Sequence, residues 1–227
     1  MEKSILIIGS GPSTKQLLGN FNKINSQIDT FGLSLQYRHY KEINWWPTYY
    51  ALCDSKVILN LKSEIYKTFK GISFDEQKLF FSYNIKNLNH TYIDHMPTGT
   101  FAINKSIELG YKNIYLVGMG GRYVEKIPES KPIRNSFRYY LKGYHKLPLD
   151  KGLKKDIRII TRTVISNPNY FIDNYQQVGD IYSLPKGNIH RDYLNDLVKK
   201  HRSSVNFYNL DSHSNLKINK AKLEVLL

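Results

Sequence analysis

A short apolar run that ends at two glycines opens the chain and limits its possible folds more than any other segment. Residues 4–8 are too few for a helix and have the composition of a buried strand. The turn that follows them is Gly9-Ser10-Gly11-Pro12-Ser13, in which glycine permits a positive φ or a close approach of the backbone to a ligand. With a helix predicted at residues 14–20, this series predicts an α/β sheet that presents backbone N–H groups at its carboxyl edge.

A second glycine turn, Pro97-Thr98-Gly99-Thr100, stands at the head of an amphipathic helix predicted at residues 99–109. Its two threonine hydroxyls can cap the helix or bind a phosphate or a ribose, and the sequence leaves both roles open. A buried strand is predicted next, at residues 113–118. The further predicted elements are strands at 28–33, 48–53, 79–82 and 205–210 and helices at 55–69 and 191–201.

Strands that alternate with helices predict a Rossmann-like α/β fold, with one mostly parallel sheet covered by helices on both faces. The length of residues 1–227 suits a single domain. Residues 120–187 differ, since their prolines and glycines predict irregular structure around one or two short helices, which we interpret as a lid or acceptor-binding insertion. The residues expected at the carboxyl edge of the sheet, where a nucleotide pocket would form, are Ser10, Ser34, Asp54, Thr98 and Gly118.

The sequence argues against several kinds of site. The first turn lacks the third glycine of the dinucleotide fingerprint, and it lacks the Gly-Lys-Ser/Thr triplet of a Walker loop. The single cysteine, Cys53, excludes an internal disulfide, and without a Cys/His cluster or an Asp-x-Asp motif we expect neither a metal nor a cofactor. No apolar run approaches the roughly 20 residues of a membrane span, and the N-terminus lacks a secretory signal, so we expect a cytoplasmic protein.

The chain is strongly basic. Its 33 Lys and Arg residues outnumber 19 Asp and Glu residues, which gives a formal net charge of +14. A positive potential attracts nucleic acid, anionic lipid head groups or acidic glycans, and charge alone does not choose among these partners. The densest basic and aromatic stretch is residues 134–162, where a binding role is favoured. Nucleic acid and the inner membrane surface stay open as partners, and so does the codon bias of an AT-rich genome as the sole origin of the lysines.

The residues around both glycine turns resemble the bacterial sialyltransferases of glycosyltransferase family 42. The similar stretches, about a sixth of the chain, are Ile7-Ile8-Gly9-Ser10-Gly11-Pro12-Ser13, Thr98-Gly99 and Glu108-Leu109-Gly110-Tyr111-Lys112-Asn113-Ile114-Tyr115-Leu116-Val117-Gly118. The resemblance implies a variant of the GT-A fold that transfers a sugar from a nucleotide donor, with a cytidine monophosphate (CMP) sugar favoured, to a glycan hydroxyl. The donor-binding residues that it implies are Gly9, Ser10, Gly11, Pro12, Ser13, Ser34, Asp54, Thr98, Gly99 and Thr100.

Three of these positions depart from the family pattern. Ser10, Ser34 and Asp54 stand where the family usually has asparagine. Asp54 also adds a negative charge where a ribose or a phosphate is expected nearby. A different nucleotide or a different sugar is therefore an alternative to the CMP-sugar.

The resemblance also implies a histidine general base, which removes a proton from the acceptor hydroxyl. His190 is our candidate because it precedes the helix predicted at residues 191–201 and the strand that follows, which is the order in the family. An unperturbed imidazole titrates near pH 6.5, and a helix N-terminus favours its neutral form. His145, in the basic aromatic stretch, is the alternative base.

Tyrosines between the last common strand and the histidine hold the donor phosphate in this family. Arg122 and Tyr123 are the first candidates in this chain, because they directly follow the turn at Gly118. The other tyrosines considered are Tyr139, Tyr140, Tyr144 and Tyr182.

The mechanism that the resemblance implies is a direct displacement with inversion at the anomeric carbon and without a metal ion. Three alternatives stay open. The positive charge also suits a transferase that modifies nucleic acid bases. The replaced asparagines also suit a nucleotide-binding or nucleic-acid-binding protein without catalysis. A pterin diphosphokinase-like protein shares the Gly-x-Gly-Pro-Ser turn and would require magnesium and ATP.

Overall fold

A computed structural model describes residues 2–72, 74–92, 96–120, 127–132, 157–183 and 187–227. These residues contain eleven strands, most of them short. In chain order the strands are β1 (Ser4–Ile8), β2 (Asp29–Leu33), β3 (Tyr49–Leu52), β4 (Leu79–Phe81), β5 (Thr91–Tyr92), β6 (Asn113–Val117), β7 (Ser130–Pro132), β8 (Ile157–Ile160), β9 (Ile181–Ser183), β10 (Asn206–Asn209) and β11 (Asn219–Lys220).

Eight of these strands form one parallel sheet in the order β11-β10-β6-β1-β2-β3-β4-β5. Strand β1 lies between β2 and β6, so the chain fills one half of the sheet before it crosses to the other. Such a reversal of strand order opens a crevice at the carboxyl ends of the two strands, where ligands of α/β proteins bind. The predicted Rossmann-like α/β fold is confirmed, and its topological switch point lies between β1 and β6.

Helices cover both faces of the sheet. They are α1 (Phe21–Gln27), α2 (Tyr37–Tyr40), α3 (Ser55–Gly71), α4 (Thr98–Glu108) and α5 (Gly187–His201). Because side chains alternate along a strand, Leu6 and Ile8 pack in a cluster with α1 and α3, whereas Ile5 and Ile7 pack in the opposite cluster with α4 and α5. Within the ranges described above, no helix has the length and apolar character needed to cross a membrane.

The helix predicted at residues 14–20 is wrong in its position. Residues Pro12–Leu17 form a 3-10 helix, and the first α-helix, α1, begins only at Phe21. Gly19 separates the two with a φ of +82°, which a continuous helix cannot contain. Helix α5 also begins at Gly187, earlier than predicted, so His190 lies in its first turn.

The described part of residues 120–187 contains more regular structure than the sequence predicts. Strands β7, β8 and β9 form a three-stranded antiparallel sheet, which the sequence analysis does not predict. Its apolar contacts are made mainly between distant residues, since Ile127 packs with Ile160, Val164 and Tyr182. Such pairing has no local periodicity, which is why a scan for helical or strand patterns misses it.

Candidate active site

The turns that follow β1 and β6 interlock at the topological switch point. The Gly9 N–H donates to the Val117 carbonyl over 2.8 Å, and the Gly11 N–H donates to the Gly118 carbonyl over 2.9 Å. A Cβ atom at Gly9 or Gly11 would lie 2.4 or 2.7 Å from the Gly118 oxygen. The sequence suggests a ligand as the reason for these glycines, but contact between the two turns already requires them.

A cavity of about 270 Å³ lies beside these turns, at the carboxyl edge of the sheet. Its walls are the turns after β1, β2, β3 and β6, the N-termini of α4 and α5, and residues 169–182, here named the cover segment. The residues predicted for the site that line this cavity are Gly9, Ser10, Gly11, Ser34, Asp54, Thr98, Gly99, Thr100, Tyr182 and His190.

The remaining predicted residues do not line the cavity or cannot be placed. Pro12 occupies the first position of the 3-10 helix Pro12–Leu17, and the Ser13 hydroxyl accepts the Gly118 N–H over 2.9 Å. Both side chains therefore shape the turn. Six candidates lie outside the described residues, namely Arg122, Tyr123, Tyr139, Tyr140, Tyr144 and the alternative base His145.

The N-terminus of helix α4 presents polar groups to the cavity. Its N-cap residue is Pro97, and among the described residues no side chain caps the helix. Thr98 instead accepts the Cys53 N–H over 3.1 Å and so joins α4 to the end of β3. The Thr100 hydroxyl is buried and has no hydrogen-bond partner within the described part of the chain. Free N–H groups, the positive end of the helix dipole and an unpaired hydroxyl together suit a phosphate or a carboxylate.

Asp54 and Ser34 border the cavity from the neighbouring strands. Oδ1 of Asp54 accepts the backbone N–H groups of Lys56 and Val57 over 3.0 and 3.4 Å, which makes Asp54 the N-cap of helix α3. Ser34 has a φ of +58°, and its carbonyl accepts a hydrogen bond from the Tyr50 hydroxyl. A positive φ is uncommon in residues other than glycine and is held here by the surrounding fold.

His190 lines the cavity from the first turn of helix α5. Burial lowers the pKa of its imidazole below the ordinary value of 6.5, and the negative charge of Asp54 acts weakly in the opposite direction. Because burial disfavours the charged form, the imidazole is neutral at pH 7. A neutral imidazole can accept a proton, as a general base must.

This pKa can be measured without any ligand, by a nuclear magnetic resonance titration of the His190 ring. We expect a midpoint below pH 6.5, because burial opposes protonation. Asp54→Asn should lower the midpoint further, since the carboxylate stabilises the imidazolium ion. Asp75→Asn is the matched control, because it removes a carboxylate at the N-cap of the 3-10 helix Glu76–Lys78, and it should leave the midpoint unchanged. A midpoint above 6.5 would contradict the buried position of the ring.

The cover segment is joined directly to the first glycine turn. The Tyr175 hydroxyl accepts the Leu35 N–H over 2.9 Å and shares a hydrogen bond of 2.8 Å with the Ser10 hydroxyl. The Phe171 N–H donates to the Ser10 carbonyl over 3.0 Å. The rings of Tyr170 and Tyr175 stack with their centroids 4.0 Å apart. Among the described residues, the tyrosines that line the cavity are Tyr170, Tyr175 and Tyr182, of which only Tyr182 was predicted.

Arg191 also lines the cavity and was missed from the sequence, although it adjoins His190. Asp180 is a further charged residue that lines the cavity and was not predicted, and it pairs with Arg38. No pattern in the sequence marks Tyr170, Tyr175 or Asp180, because they reach the cavity only through long-range contacts. Within the ranges that the structure describes, no group of three or more His, Cys, Asp or Glu side chains is arranged to hold a metal ion.

Comparison with known proteins identifies relatives by fold. No protein-family model and no curated protein sequence matches the chain. The structure of the MAf glycosyltransferase from Magnetospirillum magneticum AMB-1 has a TM-score of 0.52 and 15% identity, and the match covers 98% of this chain and 34% of that one. The sialyltransferase CstII from Campylobacter jejuni, in complex with the substrate analogue CMP-3FNeuAc, has a TM-score of 0.51 and 15% identity, and the match covers 97% and 86%.

These similarities show a shared α/β fold. This chain spans about a third of the length of the MAf protein, since the match covers 34% of it. The similarity to CstII extends over most of both chains.

Proposed function

We propose that the protein is a glycosyltransferase that moves a sugar from a nucleotide donor, with a CMP-sugar favoured, to a hydroxyl of a glycan acceptor. The observation that carries this proposal is the meeting of His190, both glycine turns and the uncapped N-terminus of α4 in one cavity. The fold similarity adds support, because one neighbour is named a glycosyltransferase and the other is a sialyltransferase in complex with a CMP-sugar analogue.

The polar groups of the cavity favour a donor whose leaving group has a single phosphate. At the N-terminus of α4 they are backbone N–H groups and the Thr100 hydroxyl. Among the described lining residues Arg191 is the one Lys or Arg, and it pairs with the exposed Asp192. A diphosphate carries more charge, which enzymes commonly offset with additional cations. A nucleoside monophosphate is therefore the better match, and the acceptor would approach from the side of His190.

In the proposed reaction the His190 imidazole accepts the proton of the acceptor hydroxyl as its oxygen attacks the anomeric carbon. The bond between that carbon and the phosphate oxygen breaks, and CMP leaves with the bonding electron pair. The configuration of the anomeric carbon inverts, because the attack and the departure occur on opposite sides. The N–H groups of α4 and the Thr100 hydroxyl stabilise the negative charge on the departing phosphate. Both the base and the phosphate site are supplied by the protein itself.

The donor can be tested first by thermal denaturation in the presence of nucleotides, because a ligand that binds the native state raises its apparent stability. The panel consists of the mono- and diphosphates of cytidine, uridine, guanosine and adenosine, each with and without magnesium. We expect CMP to stabilise the protein without magnesium, by about 2.7 kcal/mol at a concentration of 100 times its Kd. A preference for a uridine or guanosine diphosphate would reject the CMP-sugar, and no stabilisation by any nucleotide would reject the proposal.

Thr100→Val tests the phosphate site, because it removes the buried hydroxyl and keeps the shape of the side chain. We expect CMP to bind about tenfold more weakly, since the variant cannot form the hydrogen bond between the Thr100 hydroxyl and the charged phosphate of CMP. The free protein should keep or gain stability, because the hydroxyl lacks a partner in the described structure. Thr91→Val on the exposed strand β5 is the control. A loss of stability without a loss of CMP affinity would contradict this assignment.

A further inference from the structure

We propose that Arg38 is a positioning residue, which keeps the cavity receptive to an anion by neutralising Asp180 and by holding the cover segment in place. Arg38 does not itself line the cavity, whereas Asp180 does. The inference rests on the proposed function in one respect, namely that the anion is the phosphate of a nucleotide.

The Arg38 guanidinium lies between two carboxylates. It donates to Asp180 from Nη1 over 2.5 Å and from Nη2 over 2.9 Å, and to Glu64 from Nε over 2.6 Å and from Nη2 over 2.9 Å. The side chains of Arg38 and Asp180 are 4% and 6% exposed, and that of Glu64 is 36% exposed. Arg38 thus compensates one carboxylate at the cavity and a second one, on α3, that water can reach.

Neutralisation of Asp180 matters because of where its charge lies. Its carboxylate borders the cavity in which Asp54 already contributes a negative charge. A second uncompensated carboxylate would repel a phosphate across a partly buried site, where charges interact more strongly than in water. The two hydrogen bonds from Arg38 reduce this repulsion, and the Gln177 N–H donates a third to Asp180 over 2.9 Å.

Arg38 also contacts the cover segment at a second point. Its Nη1 donates to the Tyr175 carbonyl over 3.1 Å, while the Tyr175 hydroxyl reaches Ser10 and the Leu35 N–H. Loss of Arg38 would therefore have two separable effects. It would leave the negative charge of Asp180 without its compensating guanidinium, and it would weaken the attachment of the cover segment to the first glycine turn.

A pair of variants separates the two effects. Arg38→Met should weaken the binding of CMP at least tenfold, measured by calorimetry, and should change the binding of uncharged cytidine by less than threefold. In the double variant Arg38→Met with Asp180→Asn, the carboxylate is also absent, and most of the CMP affinity should return. Glu64→Gln removes the other partner, which lies outside the cavity lining, and should leave the CMP affinity within twofold. If the double variant binds CMP as weakly as Arg38→Met, neutralisation of Asp180 is overturned as the role of Arg38.

A measurement without ligand separates this inference from the proposed function. His190 shares the cavity with Asp54, Asp180 and Arg191, so exposed charge on Asp180 should raise the midpoint of the His190 titration. We expect an increase in Arg38→Met and a return toward the wild-type midpoint in the double variant. If these shifts occur but the wild type binds no CMP, the proposed function fails and the role of Arg38 stands. If the wild type binds CMP, and Arg38→Met changes neither the CMP affinity nor the midpoint of the His190 titration, the role of Arg38 fails and the proposed function stands.

The test remains decisive if Arg38→Met does not fold. In the double variant the Glu64 carboxylate and the Tyr175 carbonyl both lose Arg38, but Glu64 is partly exposed and keeps the hydrogen bond from the Tyr37 hydroxyl over 2.9 Å. Arg38→Lys keeps the positive charge but cannot form both bidentate pairs. We expect Arg38→Lys to retain CMP affinity within about threefold, because charge compensation is the main effect. A tenfold loss in Arg38→Lys would overturn the inference.

Discussion

Replacement of His190 by alanine should lower kcat for sugar transfer by about 10²- to 10⁴-fold, which is the usual contribution of a general base. The affinity for CMP should change little, because the phosphate site at the N-terminus of α4 is built from other residues. The measurement is transfer from a CMP-sugar to a glycan acceptor, together with calorimetric binding of CMP to the same variant.

The matched control for this variant is His201→Ala, at the opposite end of helix α5. This substitution removes an imidazole from the same helix that does not line the cavity. The variant should transfer sugar at the wild-type rate. Transfer at the wild-type rate by His190→Ala would remove this residue from the mechanism. A large loss of CMP affinity would instead assign His190 to donor binding.

Gly118→Ala should lower the free energy of unfolding by about 3 kcal/mol or more, the largest stability effect that we expect from a single methyl group. Gly118 has a φ of +68°, and a Cβ atom there would lie 2.1 Å from the Thr14 hydroxyl and 2.3 Å from the Gly9 carbonyl oxygen. Because the Gly9 contact is with backbone, the two turns must separate to relieve it. Urea denaturation measures the loss.

Gly110→Ala is the control for this effect. Gly110 also has a positive φ, of +83°, but a Cβ atom there would meet nothing within 4 Å. Its substitution should therefore cost only the conformational energy of a positive φ, about 1–2 kcal/mol. Equal losses in the two variants would show that the close contact of the turns contributes nothing to stability.

The predictions from sequence succeed where the signal is local. Strand β1 and strand β6 lie within one residue of their predicted bounds, as do the starts of α3 and α4, because each combines a clear apolar pattern with a turn residue at its end. The prediction of a helix at residues 14–20 was wrong because Gly19 has a positive φ, which interrupts the helix and which the sequence alone does not reveal. The antiparallel sheet of β7, β8 and β9 was not predicted, because its strands pair over long distances in sequence.

The same distinction explains what could be predicted of the site. Ser10, Asp54 and His190 could be brought together from sequence, because the carboxyl ends of parallel strands and the helices after them meet at one edge of a sheet. Arg38 and Asp180 could not, since 142 residues separate them and neither follows a strand with a recognisable turn. A charged pair of this kind forms only through tertiary packing, which cannot be deduced from local patterns in the sequence.

The attachment of Tyr175 to Ser10 has a consequence for the biosynthesis of the protein. These residues are 165 positions apart, so the cavity cannot be complete until the ribosome has released both the cover segment and the start of α5. Strand β1 is synthesised before β6 and the cover segment, with which it associates later. Any molecule that fills the cavity joins parts of the chain that are synthesised at different times. Growth of the expression host with an excess of that molecule should therefore raise the yield of variants that fold poorly.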